Sequence, residues 1–240
     1  MKYHKNILIL FVLIMNLSCN KENIDMDGYT ATLSVVNAIP DYNGSLKMNF
    51  TGKTIHWSDA AELNYQSSDG LFSNGALNFG ISTRKDVPLV IVSSKDTLKP
   101  IFDRITDFKR GEIYSLFITG KYGSAVTILN RDVIPVYTDS LTGVRFVNLS
   151  PDNIAVTVNV AGNVDAPFIR DLPYKDISTF IPFPANRSVS NYLFEVRKAT
   201  TGKLLCSYRY TNIARYKNVT LVIRGLEQGF PGMEMVRINN

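Results

Sequence analysis

The chain of 240 residues is 45% hydrophobic and carries 26 basic against 21 acidic side chains, a formal charge of +5. The surplus is spread thinly, with no basic block, so no nucleic acid partner is expected: phosphate recognition needs Lys and Arg gathered on one face. Two cysteines and two histidines are too few for a disulfide framework or a His-based metal cluster, so stability has to come from apolar cores.

At the N-terminus a basic head, Lys2-Tyr-His-Lys-Asn6, leads into the nine apolar residues Ile7–Met15 and then Asn16-Leu-Ser-Cys19. The run falls far short of the roughly 20 residues that cross a bilayer as a helix, and it reads as the core of a signal peptide. The segment resembles the signal of bacterial lipoproteins, in which a small residue, here Ser18, precedes an obligatory cysteine. Asn16 departs from that pattern, which prefers a branched apolar residue there. The resemblance implies removal of residues 1–18, lipid on Cys19 and a tether over 19–28. Asn20-Lys21-Glu22, with Asp25 and Asp27, is similar to the signal that sends lipoproteins of the Bacteroidota to the outer leaflet. The expected location is thus the outer membrane, at the cell surface, with the periplasmic leaflet as the alternative. Acyl chains would hold the protein durably, each buried methylene contributing about 0.8 kcal/mol. Loss of Lys2 and Lys5 with the signal leaves twenty-four basic against twenty-one acidic groups, a balance of +3. Cys206 is then without a partner for an intrachain disulfide and is expected to be a buried, inert thiol.

The remainder repeats itself once. Val36-Asn-Ala-Ile-Pro-Asp41 is matched by Val147-Asn-Leu-Ser-Pro-Asp152, and each is followed by an alternating run that ends in glycine, Leu46–Gly52 and Val156–Gly162. Apolar residues two apart mark strands with one buried face. Near the end of each copy, Tyr114-Ser-Leu-Phe-Ile-Thr-Gly120 parallels Val219-Thr-Leu-Val-Ile-Arg-Gly225. Leu89–Val92, Ala125–Leu129, Tyr192–Val196 and Met233–Val236 also favour strands, being rich in β-branched and aromatic residues. No helical stripe is sustained after Cys19. The pattern predicts an all-β chain of two tandem antiparallel β-sandwiches, over 29–138 and 139–240. The linker, Pro135–Gly143, is short, which predicts sandwiches placed end to end. Asn37 and Asn148 fall in register with the inward-facing Leu33/Val35 and Val144/Phe146. Their amides are expected to bond backbone at the strand ends, while Pro40 and Pro151 close the strands and Asp41 and Asp152 cap the turns.

Val144-Arg-Phe-Val-Asn-Leu-Ser-Pro-Asp-Asn-Ile-Ala-Val-Thr-Val-Asn-Val-Ala-Gly162 resembles the opening of the domain of unknown function 4397 family, whose members often occur in tandem in bacterial surface proteins. Leu172-Pro-Tyr-Lys-Asp-Ile-Ser-Thr-Phe-Ile-Pro-Phe-Pro184 is similar to its middle segment. Tyr65 and Ser67 or Ser68 stand where Tyr174 and Ser178 stand in the second copy. The resemblance implies immunoglobulin-like sandwiches on the cell surface; it implies no reaction and no ligand.

Catalytic constellations are sparse. His56 is the one histidine after the signal, and no phosphate loop, dinucleotide fingerprint or nucleophile elbow occurs. The acid pairs Asp103/Asp107 and Asp171/Asp176 are the remaining material for a carbohydrate-active hydrolase. The stretch His56-Trp57-Ser58-Asp59 leading to Tyr65 has the chemistry of a sugar-binding face, an aromatic surface flanked by polar groups. The competing and favoured reading places Trp57 as a plug at one end of the first core. No cofactor or metal is expected. The leading expectation is a non-enzymatic, lipid-anchored surface binding or adhesion module for a glycan, host or envelope partner. A structural spacer or accessory subunit of an outer-membrane complex is the alternative, and a hydrolase the remotest reading.

Overall fold

The computed structural model describes residues 30–65, 75–83 and 88–239; the signal segment, Cys19, Ser67 and Ser68 lie outside them. The first unit contains β1 (Thr30–Asn37), β2 (Leu46–Asn49), β3 (Ala61–Leu63), β4 (Ala76–Ser82), β5 (Pro88–Ser93), β6 (Asp96–Ile105), β7 (Ile113–Thr119) and β8 (Val126–Arg131). They form two sheets, β4-β1-β7-β8 and β3-β2-β5-β6. The second unit contains β9 (Leu141–Asn148), β10 (Val156–Val160), β11 (Ile169–Leu172), β12 (Ile181–Pro184), β13 (Tyr192–Lys198), β14 (Leu204–Tyr210), β15 (Asn218–Arg224) and β16 (Glu234–Asn239). Its sheets, β12-β9-β15-β16 and β11-β10-β13-β14, repeat the first pair strand for strand.

The sandwiches are not wholly antiparallel: β1 runs parallel to β7, and β9 parallel to β15. The strand order is also distinct from the immunoglobulin constant arrangement, in which the first two strands are neighbours in one sheet. Here β1 and β2, like β9 and β10, lie in opposite sheets.

Alternation decides which residues meet. Leu33 and Val35 of β1, Leu116 and Ile118 of β7 and Ile91 of β5 face into the first core. Val144, Phe146, Phe194, Leu221 and Ile223 fill the second. The expected placement of Trp57 is corrected: it lies half-buried in a single helical turn, Trp57–Asp59, between β2 and β3, and belongs to no core cluster. Its backbone carbonyl accepts a hydrogen bond from Lys47 Nζ at 2.8 Å.

Asn37 and Asn148 behave as their register predicts. Asn148 Nδ2 donates to the carbonyls of Ile154 and Leu172, at 2.7 and 2.9 Å, and its Oδ1 accepts from Ser150 N. Asn37 Nδ2 donates to Leu63 O at 3.4 Å, and its Oδ1 accepts from Ile39 N. Each amide thereby ties the end of the first strand to the end of the third and to the following turn.

The end-to-end expectation is overturned. The outer faces of β4-β1-β7-β8 and β12-β9-β15-β16 pack on each other, burying Val36, Ala38 and Phe117 against Val147, Leu149, Val222, Val236 and Ile238. The described residues therefore form four stacked sheets with three apolar layers. The reason is visible in the strands: between the core-facing residues stand Val36, Phe117, Val147 and Val222, also apolar, and burying each such side chain contributes about 1.5–3 kcal/mol. The interface has an approximate local twofold. Thr119, closing β7, donates to Leu149 O across the interface at 2.7 Å and lies 3.5 Å from Tyr174 Oη. Arg224, closing β15, donates to Asn37 O at 3.2 Å and stacks 4.0 Å from the Tyr65 ring. The roles are exchanged between units, as in an isologous dimer interface.

Candidate functional site

The residues singled out in the sequence do not converge. His56 and Asp59 are exposed and border a shallow cleft of about 410 Å³ beside Met48, Asn49 and Ile55. Asp59 accepts from Ser58 Oγ at 2.8 Å. Tyr65 lies elsewhere, two residues beyond β3, at the rim where the two units meet. It is buried, and its hydroxyl has no hydrogen-bond partner among the described residues. Burial pushes that hydroxyl far above its ordinary pKa; the Arg224 guanidinium opposes the shift, and the Glu234 carboxylate adds to it. The acid pairs Asp103/Asp107 and Asp171/Asp176 are all exposed. Among the described residues no group of three or more His, Cys, Asp or Glu is placed to hold a metal ion.

Tyr65 lines another cleft, of about 560 Å³, together with Asp41, Tyr42, Asn43, Asn64, Phe230 and Pro231. Both units build it. Phe230 and Pro231 come from the loop between β15 and β16, which runs from Gly225 to Met233, whereas the matching loop of the first unit runs only from Gly120 to Ala125. The longer loop leaves Phe230 87% exposed. Its ring thus faces solvent at the rim of a cleft that also holds polar side chains.

Tyr42 forms the wall on the side of the first unit. Its ring folds back over Gly44, where an added Cβ would lie 2.5 Å from the ring. Its hydroxyl is 2.7 Å from Ser93 Oγ and 3.2 Å from Ser94 Oγ. Tyr122 stacks on it with centroids 4.5 Å apart and planes at 10°, and remains 45% exposed. Asp41 fastens the pair by accepting from Tyr122 N at 2.8 Å.

The repeat supplies an internal control. In the second unit Asp152 accepts from Glu227 N at 2.5 Å, so the same turn-to-hairpin fastening is made there. Where the first unit has Tyr42 and Tyr122, the second has Asn153 and Glu227, and Glu227 is closed off by Lys198 and Lys203 at 2.9 and 3.2 Å. The fold thus needs the aspartate and its backbone contact, not the aromatic pair. This difference between the copies was present in the sequence, but it acquires meaning only once the turn and the hairpin are seen to touch.

No protein-family model and no curated protein matches the chain. Among solved structures it is similar to a family 41 carbohydrate-binding module from streptococcal virulence factors, described for alpha-glucan recognition, at 14% identity and a TM-score of 0.29. The match covers 88% of this chain and 97% of that one. A likeness of that size carries no argument about a site or a ligand.

Proposed function

We propose that this chain is a lipid-anchored protein of the bacterial outer membrane whose two sandwiches form one non-catalytic body that binds carbohydrate in the cleft between them. The support is the lining of that cleft: the exposed ring of Phe230 and the buried Tyr42 and Tyr65, with the side-chain amides of Asn43 and Asn64 and the carboxylate of Asp41 beside them. Sugar rings stack their C–H faces on aromatic surfaces and need hydrogen-bonding groups for their hydroxyls, and this cleft offers both. Its size lies within the range of small-ligand sites. The reading is non-catalytic: Asp103, Asp107, Asp171 and Asp176 are all exposed and none of them lines this cleft.

Binding is tested with the purified full chain on a glycan array, followed by calorimetry on the glycans that score. Phe230→Ala is expected to lower affinity about tenfold, the loss of one aromatic stacking contact, with an unchanged thermal midpoint. A blank array, or wild-type affinity in that variant, rejects the carbohydrate cleft. The anchor is tested by incorporation of a labelled fatty acid, which Cys19→Ser should abolish; surface display is tested by protease shaving of intact cells.

A further inference from the structure

We infer that the ligand of this cleft is an extended oligosaccharide, read along a groove that crosses the Tyr42–Tyr122 stack into a second cleft. The inference rests on the carbohydrate reading and adds the length of the ligand to it. The second cleft, of about 400 Å³, is lined by Ser93, Asp96, Lys99, Pro100, Ile101 and Tyr122, with Gly123 and Ala125 at its edge. It lies on the far side of the stacked pair: Tyr42 lines the first cleft and Tyr122 the second, with ring centroids 4.5 Å apart. Ser93, in the second cleft, is also the residue whose hydroxyl meets Tyr42 Oη at 2.7 Å. The two clefts therefore share one wall, two rings thick.

The top of that wall is suited to a passing sugar. One face of Tyr122 is taken by Tyr42, and nearly half of the side chain is still open. Lys95 Nζ stands 5.5 Å from the Tyr42 centroid, so a cation borders the crossing, and Asp96 and Lys99 continue the polar lining beyond it. Aromatic surface thus recurs along the path, first Phe230 and then Tyr122, each with polar side chains to its flank. A single sugar would use only one end of this arrangement; a chain of sugars uses both.

The experiment is calorimetry of the purified full chain against oligomer ladders of one to six units in the gluco-, xylo-, manno- and galacturono-oligosaccharide series. In the series that binds, affinity should rise about tenfold or more between one and four units, the equivalent of one further stacking contact. Lys99→Ala combined with Asp96→Ala should remove that rise while leaving the shortest bound oligomer within about twofold of wild type, whereas Phe230→Ala should weaken every length. Affinity independent of length, or a length dependence untouched by the Asp96/Lys99 pair, overturns the extended groove and leaves the carbohydrate cleft standing. Absence of binding in all four ladders, together with a blank array, removes both.

Discussion

At the scale of single residues, the buried amides are the points where the fold is most sensitive. Asn148 makes three hydrogen bonds from a fully buried position. Its replacement by alanine leaves two carbonyls and one amide of the backbone unpaired, and each such buried group costs about 1–3 kcal/mol. Asn148→Ala should therefore lower the unfolding free energy by about 3 kcal/mol in a denaturant titration. Asn37→Ala should cost less, because the Asn37 bond to Leu63 O is long at 3.4 Å. Gly75 is a second sensitive point. Its φ is +75°, and an added Cβ would lie 2.5 Å from an Arg224 guanidinium nitrogen and 2.9 Å from Tyr65 O. Gly75→Ala both strains the backbone and displaces Arg224 from its place over Tyr65. Cys206 packs against the second core, and burial pushes its thiol from 9.0 up to about 12. The neutral thiol is the form the folded state favours, so its contribution is complete below pH 9 and declines as pH rises toward 12. The midpoint of denaturation should fall over that window, less so in Cys206→Ala. In the native state at pH 8 the thiol should resist alkylating reagents.

At the scale of elements, the contact between the two central sheets combines an apolar middle with a polar end. Arg145 on β9 is 3% exposed and pairs with Asp132, at the end of the β8 edge, through bonds of 2.6 and 3.0 Å. Ser115 of β7 and Thr220 of β15 satisfy the rest of that group: Arg145 Nη2 lies 3.3 Å from Ser115 Oγ, Arg145 Nε donates to Thr220 Oγ1 at 2.9 Å, and Ser115 Oγ donates to Asp132. Four strands from both units thus meet at one buried ion pair. Removing one partner leaves the other as a buried, uncompensated charge, so Asp132→Ala should destabilise by about 3–5 kcal/mol. The double variant Arg145→Met, Asp132→Leu should recover most of that loss, which a thermal melt of the three proteins decides. Three glutamates contribute acid sensitivity. Glu195 is held below its ordinary range by hydrogen bonds from Asn159 and Arg197, and Glu62 and Glu227 by their lysine partners. Their contribution is present above about pH 4.5 and is lost as pH falls below it.

At the scale of the whole molecule, the two units share an apolar layer, so neither is a free-standing domain with a polar exterior. A fragment of residues 139–240 would expose Val147, Val222, Val236 and Ile238 along with Arg145 and Arg224, all of them buried in the full chain. That fragment should bind a hydrophobic dye and unfold at a markedly lower denaturant concentration than the full chain. The full chain should unfold in one transition by both fluorescence and circular dichroism, since loss of either unit uncovers the other. Two separated transitions would show that the shared layer contributes little. The same construction places Phe230 of one unit beside Tyr42 and Tyr65 of the other, so binding at that cleft should disappear when the units are expressed apart.

The period-two runs and the two Asn-x-x-Pro-Asp turns were enough, as sequence, to establish an all-β chain with a repeated unit and the inward register of Asn37 and Asn148. These are local properties: strand alternation, proline geometry and turn capping act within a few residues, so they leave a local trace. The shared face was written there as well, in Val36, Phe117, Val147 and Val222, but a buried second face reads the same as a generally apolar strand, and nothing in the spacing says what covers it. Trp57 differs for a related reason, because composition alone cannot tell a core plug from a half-buried ring in a connecting turn. The cleft depended on tertiary structure entirely. Tyr42 meets Tyr122 where a turn and a hairpin of the first unit touch, and Phe230 reaches Tyr42 through the face-to-face stacking of two sheets and the extra length of one hairpin loop.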